Sequence, residues 1–101
     1  MLNNAFAKII DNEKPVLVDF YADWCGPCRM MPPVLKEIKN RMGNQVQVFK
    51  VNVDKHSDVA AHFQVSSIPT LMIFKKGQLL WRESGVKNAG RLQQLLQQYT
   101  S

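Results

Sequence analysis

Residues 24–28 of this chain read Trp24-Cys25-Gly26-Pro27-Cys28 and contain both of its cysteines. The segment follows residues 16–21 (VLVDFY), where apolar residues occupy both parities, as is typical of a strand covered on both faces. Beyond it, one helical stripe is formed by Met31, Val34, Leu35, Ile38 and Met42. The cysteines are therefore predicted to lie between the carboxyl end of a strand and the start of a helix, where open α/β sheets place their sites.

Strand and helix patterns alternate along the rest of the chain. Helical patterns occur near residues 2–10, near 59–63 and after the capping residue Asn88, and strand patterns occur at 46–53, 71–74 and 79–83. The turn KKGQ at 75–78 is short enough to make the last two strands an antiparallel hairpin. The order α-β-α-β-α-β-β-α predicts an α/β fold, a three-layer α/β/α sandwich with right-handed parallel crossovers and the hairpin as an antiparallel edge.

Composition and charge argue against several classes of protein. With 101 residues, 46% of them hydrophobic and 21% charged, the chain is predicted to form a single domain over residues 1–101. Basic residues are scattered among acidic ones despite the net charge of +5, so no nucleic-acid partner is expected. No apolar run is long enough to cross a membrane, and the N-terminal residues lack a secretion-signal pattern, so we expect a cytoplasmic protein.

The spacing of the two cysteines favours a redox pair. Residues three apart on an α-helix are slightly too distant for a disulfide, but a tighter 3₁₀ first turn brings them within reach. Pro27 suits such a turn, and Gly26 lets another backbone approach. The enclosed loop is too small for the bond to be an effective structural crosslink.

The helix start also predicts different roles for the two sulfurs. Unpaired N–H groups and the partial positive charge of a helix N-terminus stabilise a thiolate, which is the nucleophile in disulfide exchange. We expect Cys25 to accept a hydrogen bond from the Cys28 N–H, and Cys28 to be more buried and less ionised. A metal site is not expected, because the chain's histidines, His56 and His62, are distant in sequence and are predicted to be surface residues. A metal shared between two chains is a minor alternative.

The chain resembles the thioredoxin family. The resemblance lies in residues 18–22 (VDFYA), 24–28 (WCGPC), 51–54 (VNVD), 68–70 (IPT) and Gly85. It implies the thioredoxin fold with a central mixed sheet of four strands, because the strand that precedes the first helix in this family has no counterpart here. It also implies that Cys25 attacks a substrate disulfide and that Cys28 resolves the mixed disulfide.

The resemblance further implies a docking surface for substrates. In the family, a cis-proline loop faces the cysteine pair and binds the substrate backbone, and it corresponds to Ile68-Pro69. The other residues expected to contact substrate are Trp24, Gly26, Pro27 and Gly85. Ser66-Ser67 stand where a glycine is common in the family, a departure that bears on the choice of partner.

Asp19 is the second candidate for chemistry. A carboxylate inside an apolar strand is costly without a partner, and burial raises its pKa toward neutrality, where it can exchange protons. Lys50 in the strand pattern 46–53 is a possible neighbour. In the family the matching aspartate assists deprotonation of the resolving cysteine and the matching lysine tunes it. The alternative is that Asp19 and Lys50 are ordinary solvated strand residues.

The sequence thus predicts a thiol–disulfide oxidoreductase that reduces protein disulfides through Cys25 and Cys28. It needs no cofactor beyond this pair, and resemblance implies a thioredoxin-reductase-like electron donor. We expect a monomer. One alternative is a thiol oxidase or disulfide isomerase on the same fold, although Gly-Pro between the cysteines favours a reductant. Another is a binding module without turnover.

Overall fold

The structure, a computed structural model that describes residues 2–100, follows the predicted order of helices and strands. The α-helices are α1 (Asn4–Ile10), α2 (Met31–Met42), α3 (Ser57–His62) and α4 (Ala89–Gln97). The strands are β1 (Val16–Tyr21), β2 (Gln47–Asn52), β3 (Thr70–Lys75) and β4 (Gln78–Ser84). Short 3₁₀ helices span Pro27–Met30 and Gly43–Gln45. None of the helices within residues 2–100 has the length and apolar character needed to span a membrane.

The sheet confirms the prediction of four mixed strands and corrects one direction. Its order is β2-β1-β3-β4, with β1 parallel to β2 and antiparallel to β3. The predicted parallel crossover is therefore right for β1 and β2, and wrong for β3. A six-residue helix such as α3 is about 9 Å long, whereas a six-residue strand is about 20 Å, so α3 is too short to return the chain to the end of the sheet at which β2 begins.

The direction of β3 brings distant parts of the chain together. Phe20, near the carboxyl end of β1, pairs with Thr70, the first residue of β3. The segment that precedes β3 therefore lies beside the segment that follows β1. These are the Ile68-Pro69 loop and the cysteine segment.

Alternation along β1 assigns its side chains to two cores. Val16, Val18 and Phe20 pack with residues of α1 and α3, whereas Leu17 packs with α2 and α4. Asp19 has the same parity as Leu17 and so faces the layer of α2, the helix that begins at the cysteine segment.

A predicted hairpin turn and a predicted helix cap are confirmed. Lys76 and Gly77 both have positive φ, 53° and 81°. Such values suit a two-residue hairpin turn, because they match the right-handed twist of the two strands that it joins. Asn88 begins α4, and its side chain accepts a hydrogen bond of 2.8 Å from the Arg91 N–H.

Candidate active site

The cysteine segment winds into the 3₁₀ turn that the spacing predicts. The turn runs over Pro27–Met30, and α2 begins at Met31. Cys25 and Cys28 form a disulfide with a Cα–Cα distance of 5.3 Å, within the usual range for such a bond. The dithiol and the disulfide can therefore interconvert with little movement of the fold.

The Cys28 N–H donates a hydrogen bond of 3.2 Å to Cys25 Sγ, as predicted. The prediction that Cys28 is the more buried cysteine is wrong, because the exposed fractions are 4% for Cys25 and 5% for Cys28. Cys25 is covered by a contact that the local sequence does not contain, since its Sγ lies 3.7 Å from the Ile68 carbonyl oxygen. Burial thus does not distinguish the two sulfurs, whereas the hydrogen bond from the Cys28 N–H to Cys25 Sγ does.

The loop before β3 faces the disulfide. The Ile68–Pro69 peptide bond is cis, as the resemblance implies. The Gly85 N–H donates a hydrogen bond of 2.8 Å to the Pro69 carbonyl oxygen, and Gly85 has φ +95°, a conformation that favours glycine. Ile68, Pro69 and Gly85, which are all predicted to contact substrate, therefore form one wall opposite the cysteines.

The rim around the disulfide is open and partly apolar. Trp24 is 70% exposed and Met30 is 62% exposed, although large apolar side chains usually avoid such exposure. Gly26 and Pro27 are exposed between the cysteines, and a Cβ at Gly26 would meet no atom within 4 Å. This space is available to another backbone.

Trp24 is held in place by a residue that the sequence reasoning missed as a contributor to the site. Its Nε1–H donates a hydrogen bond of 2.8 Å to Asp54 Oδ2, across 30 positions of sequence. Asp54 is one of the residues on which the resemblance to the family rests, but no local sequence pattern links it to Trp24.

Asp19 is buried and unpaired. Its side chain is 1% exposed, and neither carboxylate oxygen has a hydrogen-bond partner among the described residues. Burial raises the pKa of Asp19 to about 6, and the positive charge of Lys50 opposes part of that rise. The alternative of a solvated aspartate is excluded.

Asp19 and Cys28 border the same pocket of about 190 Å³. Lys50 also lines it and lies opposite Asp19 in the register of β1 and β2, so the predicted neighbourhood is confirmed. Lys50 is itself exposed, and its Nζ lies 5.0 Å from the ring centroid of Tyr21, a cation–π distance. Sequence reasoning missed Tyr21, although its position two residues after Asp19 places it on the same face of the strand.

Within the described part of the chain, no group of three or more His, Cys, Asp or Glu side chains is placed to hold a metal ion. His56 and His62 are both exposed, as predicted.

The thioredoxin family model matches residues 1–98 of the chain. The chain belongs to the thioredoxin family. A thioredoxin-like protein of Synechocystis sp. is 47% identical over 93 residues, which are 91% of this chain and 89% of that protein. A bifunctional thioredoxin reductase/thioredoxin of Mycobacterium leprae is 48% identical over 87 residues, which are 86% of this chain and 19% of that protein.

A solved structure of a mutant thioredoxin from Halobacterium salinarum superposes with a TM-score of 0.88 at 31% sequence identity. The match covers 100% of this chain and 88% of that one. The fold, the family and the cysteine pair at bonding distance agree, so this member of the thioredoxin family is a thiol–disulfide oxidoreductase.

The raised pKa of Asp19 predicts an unusual dependence of stability on pH. The folded protein holds this proton up to about pH 6, whereas the unfolded chain loses it near the ordinary value of 3.8. Stability should therefore fall as pH rises from about 4 to about 7, by roughly 3 kcal/mol from this group. Urea unfolding of the oxidised protein over this pH range measures the loss of stability. Asp19→Asn should remove the part of the loss that comes from Asp19.

Asp23→Asn is the matched control, because it removes an exposed carboxylate from the same pocket. It should keep the pH dependence of the unsubstituted protein. Parallel pH profiles for the unsubstituted protein and Asp19→Asn would contradict the buried, unpaired state of Asp19.

Proposed function

We propose that this protein reduces disulfide bonds in other proteins by exchange with its own cysteine pair. The observation that carries the proposal is the Cys25–Cys28 disulfide, which lies at the start of α2 and faces the cis Ile68–Pro69 bond. The chemistry requires a thiolate, a second thiol within bonding distance and a proton acceptor. Residues suited to each role border this one site.

The first step is attack by Cys25. Its thiolate, stabilised by the Cys28 N–H, attacks one sulfur of the substrate disulfide and displaces the other sulfur as a thiolate. The product is a mixed disulfide between Cys25 and the substrate. No net oxidation has occurred at this stage, because one disulfide has been exchanged for another.

The second step is resolution by Cys28. Asp19 accepts the proton of the Cys28 thiol across the pocket that both residues border. The resulting thiolate attacks Cys25 Sγ, forms the Cys25–Cys28 disulfide and displaces the second substrate sulfur as a thiolate. Protons from Asp19 and from solvent convert the two substrate thiolates to a dithiol. The carboxyl group of Asp19, with a pKa of about 6, is mostly ionised near pH 7 and can accept a proton. The positive charge of Lys50, which lies opposite Asp19 in the strand register, favours the ionised form.

We assign the docking of substrate to the open rim and the wall opposite it. The residues that would contact the substrate are Trp24, Gly26, Pro27, Ile68, Pro69 and Gly85. The exposed Trp24 supplies apolar area, and Gly26 leaves room for a main chain. Contact through the backbone and through apolar surface, with no charged side chain among the contacts, would admit many protein substrates.

Two electrons must be returned to the cysteine pair after each turnover, and we propose a reductase of the thioredoxin-reductase type as their source. The relative from Mycobacterium leprae, whose name joins the two activities in one protein, supports this donor. No further cofactor is required. Reduction of protein disulfides suits a reducing compartment, so we place the protein in the cytoplasm.

We also propose a monomer. Among the described residues, the exposed large apolar side chains are Trp24, Met30 and Leu79, and the first two belong to the rim. They leave no extended apolar area for a stable dimer.

Substitution of each cysteine separates the two steps. Cys28→Ser should accumulate a mixed disulfide through Cys25, because attack proceeds and resolution cannot. Cys25→Ser should reduce no insulin, because the Cys28 N–H stabilises a thiolate at position 25 and not one at position 28. Insulin reduction with dithiothreitol and mass spectrometry of trapped adducts measure both outcomes. An active Cys25→Ser protein, or adducts formed through Cys28, would reject the assignment.

Asp19→Asn isolates the proton transfer. We expect resolution of the mixed disulfide to be ~100-fold slower near pH 7, at the lower end of the range for a general base. The difference should shrink above about pH 9, where thiols ionise without a base. Rapid-quench single turnovers measure the rate of substrate release, with Asp23→Asn as the control. An equal rate for Asp19→Asn near pH 7 would remove Asp19 from the mechanism.

A further inference from the structure

Three hydroxyl groups meet behind the Ile68-Pro69 loop. Ser67 Oγ donates a hydrogen bond of 3.0 Å to Ser84 Oγ, and Thr70 Oγ1 donates one of 2.6 Å to the Ser67 carbonyl oxygen. Ser84 Oγ and Thr70 Oγ1 are 2.9 Å apart. Ser67 and Thr70 flank the loop, and Ser84 is the last residue of β4.

The number of hydrogens fixes the direction of the last bond. Each hydroxyl has one hydrogen, and that of Thr70 is already donated to the Ser67 carbonyl. Ser84 must therefore be the donor to Thr70. Each hydroxyl donates once, from Ser67 Oγ to Ser84 Oγ, from Ser84 Oγ to Thr70 Oγ1, and from Thr70 Oγ1 to the Ser67 carbonyl oxygen. The three bonds form a chain in which each strengthens the next, and the covalent structure of Ser67 closes it into a ring.

The ring connects the residues on both sides of the Ile68-Pro69 loop to the end of β4. Thr70 is 1% exposed and pairs with Ser84 in the sheet register, so its hydroxyl is buried and satisfied by the ring. The neighbouring Gly85 N–H adds the bond to the Pro69 carbonyl. Because the Ile68 carbonyl oxygen lies 3.7 Å from Cys25 Sγ, a small shift of the loop would change the clearance above the attacking sulfur.

The geometry points to Ser67, Thr70 and Ser84 as positioning residues that hold the Ile68-Pro69 loop at the distance from Cys25 that a protein disulfide requires. The inference depends on the proposed function, because it concerns the docking of substrate at the same site. A protein substrate must fit between the loop and the rim. A small disulfide can reach Cys25 without contact with the loop.

Single turnovers of the reduced protein test the ring with two substrates, insulin and hydroxyethyl disulfide. Ser84→Ala removes two of the three bonds and Ser67→Ala removes one. We expect the half-saturating insulin concentration to rise ~5-fold and ~2-fold respectively, the scale of a lost hydrogen bond. The maximal rate with insulin and the rate with hydroxyethyl disulfide should not change. Ser84→Thr keeps the hydroxyl and should restore insulin binding.

Ser57→Ala is the control, because Ser57 is an exposed serine at the start of α3 and takes no part in the ring. Thermal unfolding of each variant separates altered docking from altered stability. The inference is overturned if Ser84→Ala matches Ser57→Ala with insulin, if both substrates slow equally, or if Ser84→Thr fails to restore docking. Failure of the unsubstituted protein to reduce either disulfide would instead reject the proposed function.

Discussion

The hydrogen bond from the Cys28 N–H to Cys25 Sγ connects the fold to its chemistry. It forms because the 3₁₀ turn at Pro27–Met30 begins two residues after Cys25, and the unpaired Cys28 N–H in its first turn points back at the Cys25 side chain. The buried face of α2 holds that turn against the sheet, and the reversed direction of β3 places the Ile68-Pro69 loop above it. This donor is the reason that we propose Cys25 as the sulfur that carries negative charge in the reduced pair, although the two cysteines are almost equally buried.

The groups around the two cysteines also influence the direction in which the pair transfers electrons. A protein that strongly stabilises its thiolate favours its reduced form and becomes an oxidant. Among the described residues, one backbone N–H reaches Cys25 Sγ, while the carbonyl oxygen of Ile68 lies 3.7 Å from it with its partial negative charge. Asp19 adds a second negative charge beside the pocket of Cys28 when it is ionised. Modest stabilisation of the thiolate favours the disulfide form, which is the property of a reductant.

What the sequence predicted correctly was mostly local. The strand before the cysteines, the 3₁₀ turn and the Asn88 cap follow from neighbouring residues, and the burial of Asp19 follows from its apolar strand. The direction of β3, the burial of Cys25 and the bond between Trp24 and Asp54 depend on contacts between residues far apart in the chain. The hydroxyl ring could not be predicted for the same reason, because Ser84 joins it from another strand. The cis peptide bond was predicted by resemblance alone.

The reduction potential of the Cys25–Cys28 pair tests the account most directly. It is measured by equilibration of the protein with glutathione and glutathione disulfide, followed by alkylation of the free thiols and mass spectrometry. A protein that reduces substrate disulfides must have a pair more reducing than the glutathione couple, so glutathione disulfide should oxidise it almost completely. A pair that glutathione readily reduces would identify an oxidase or isomerase and contradict the account.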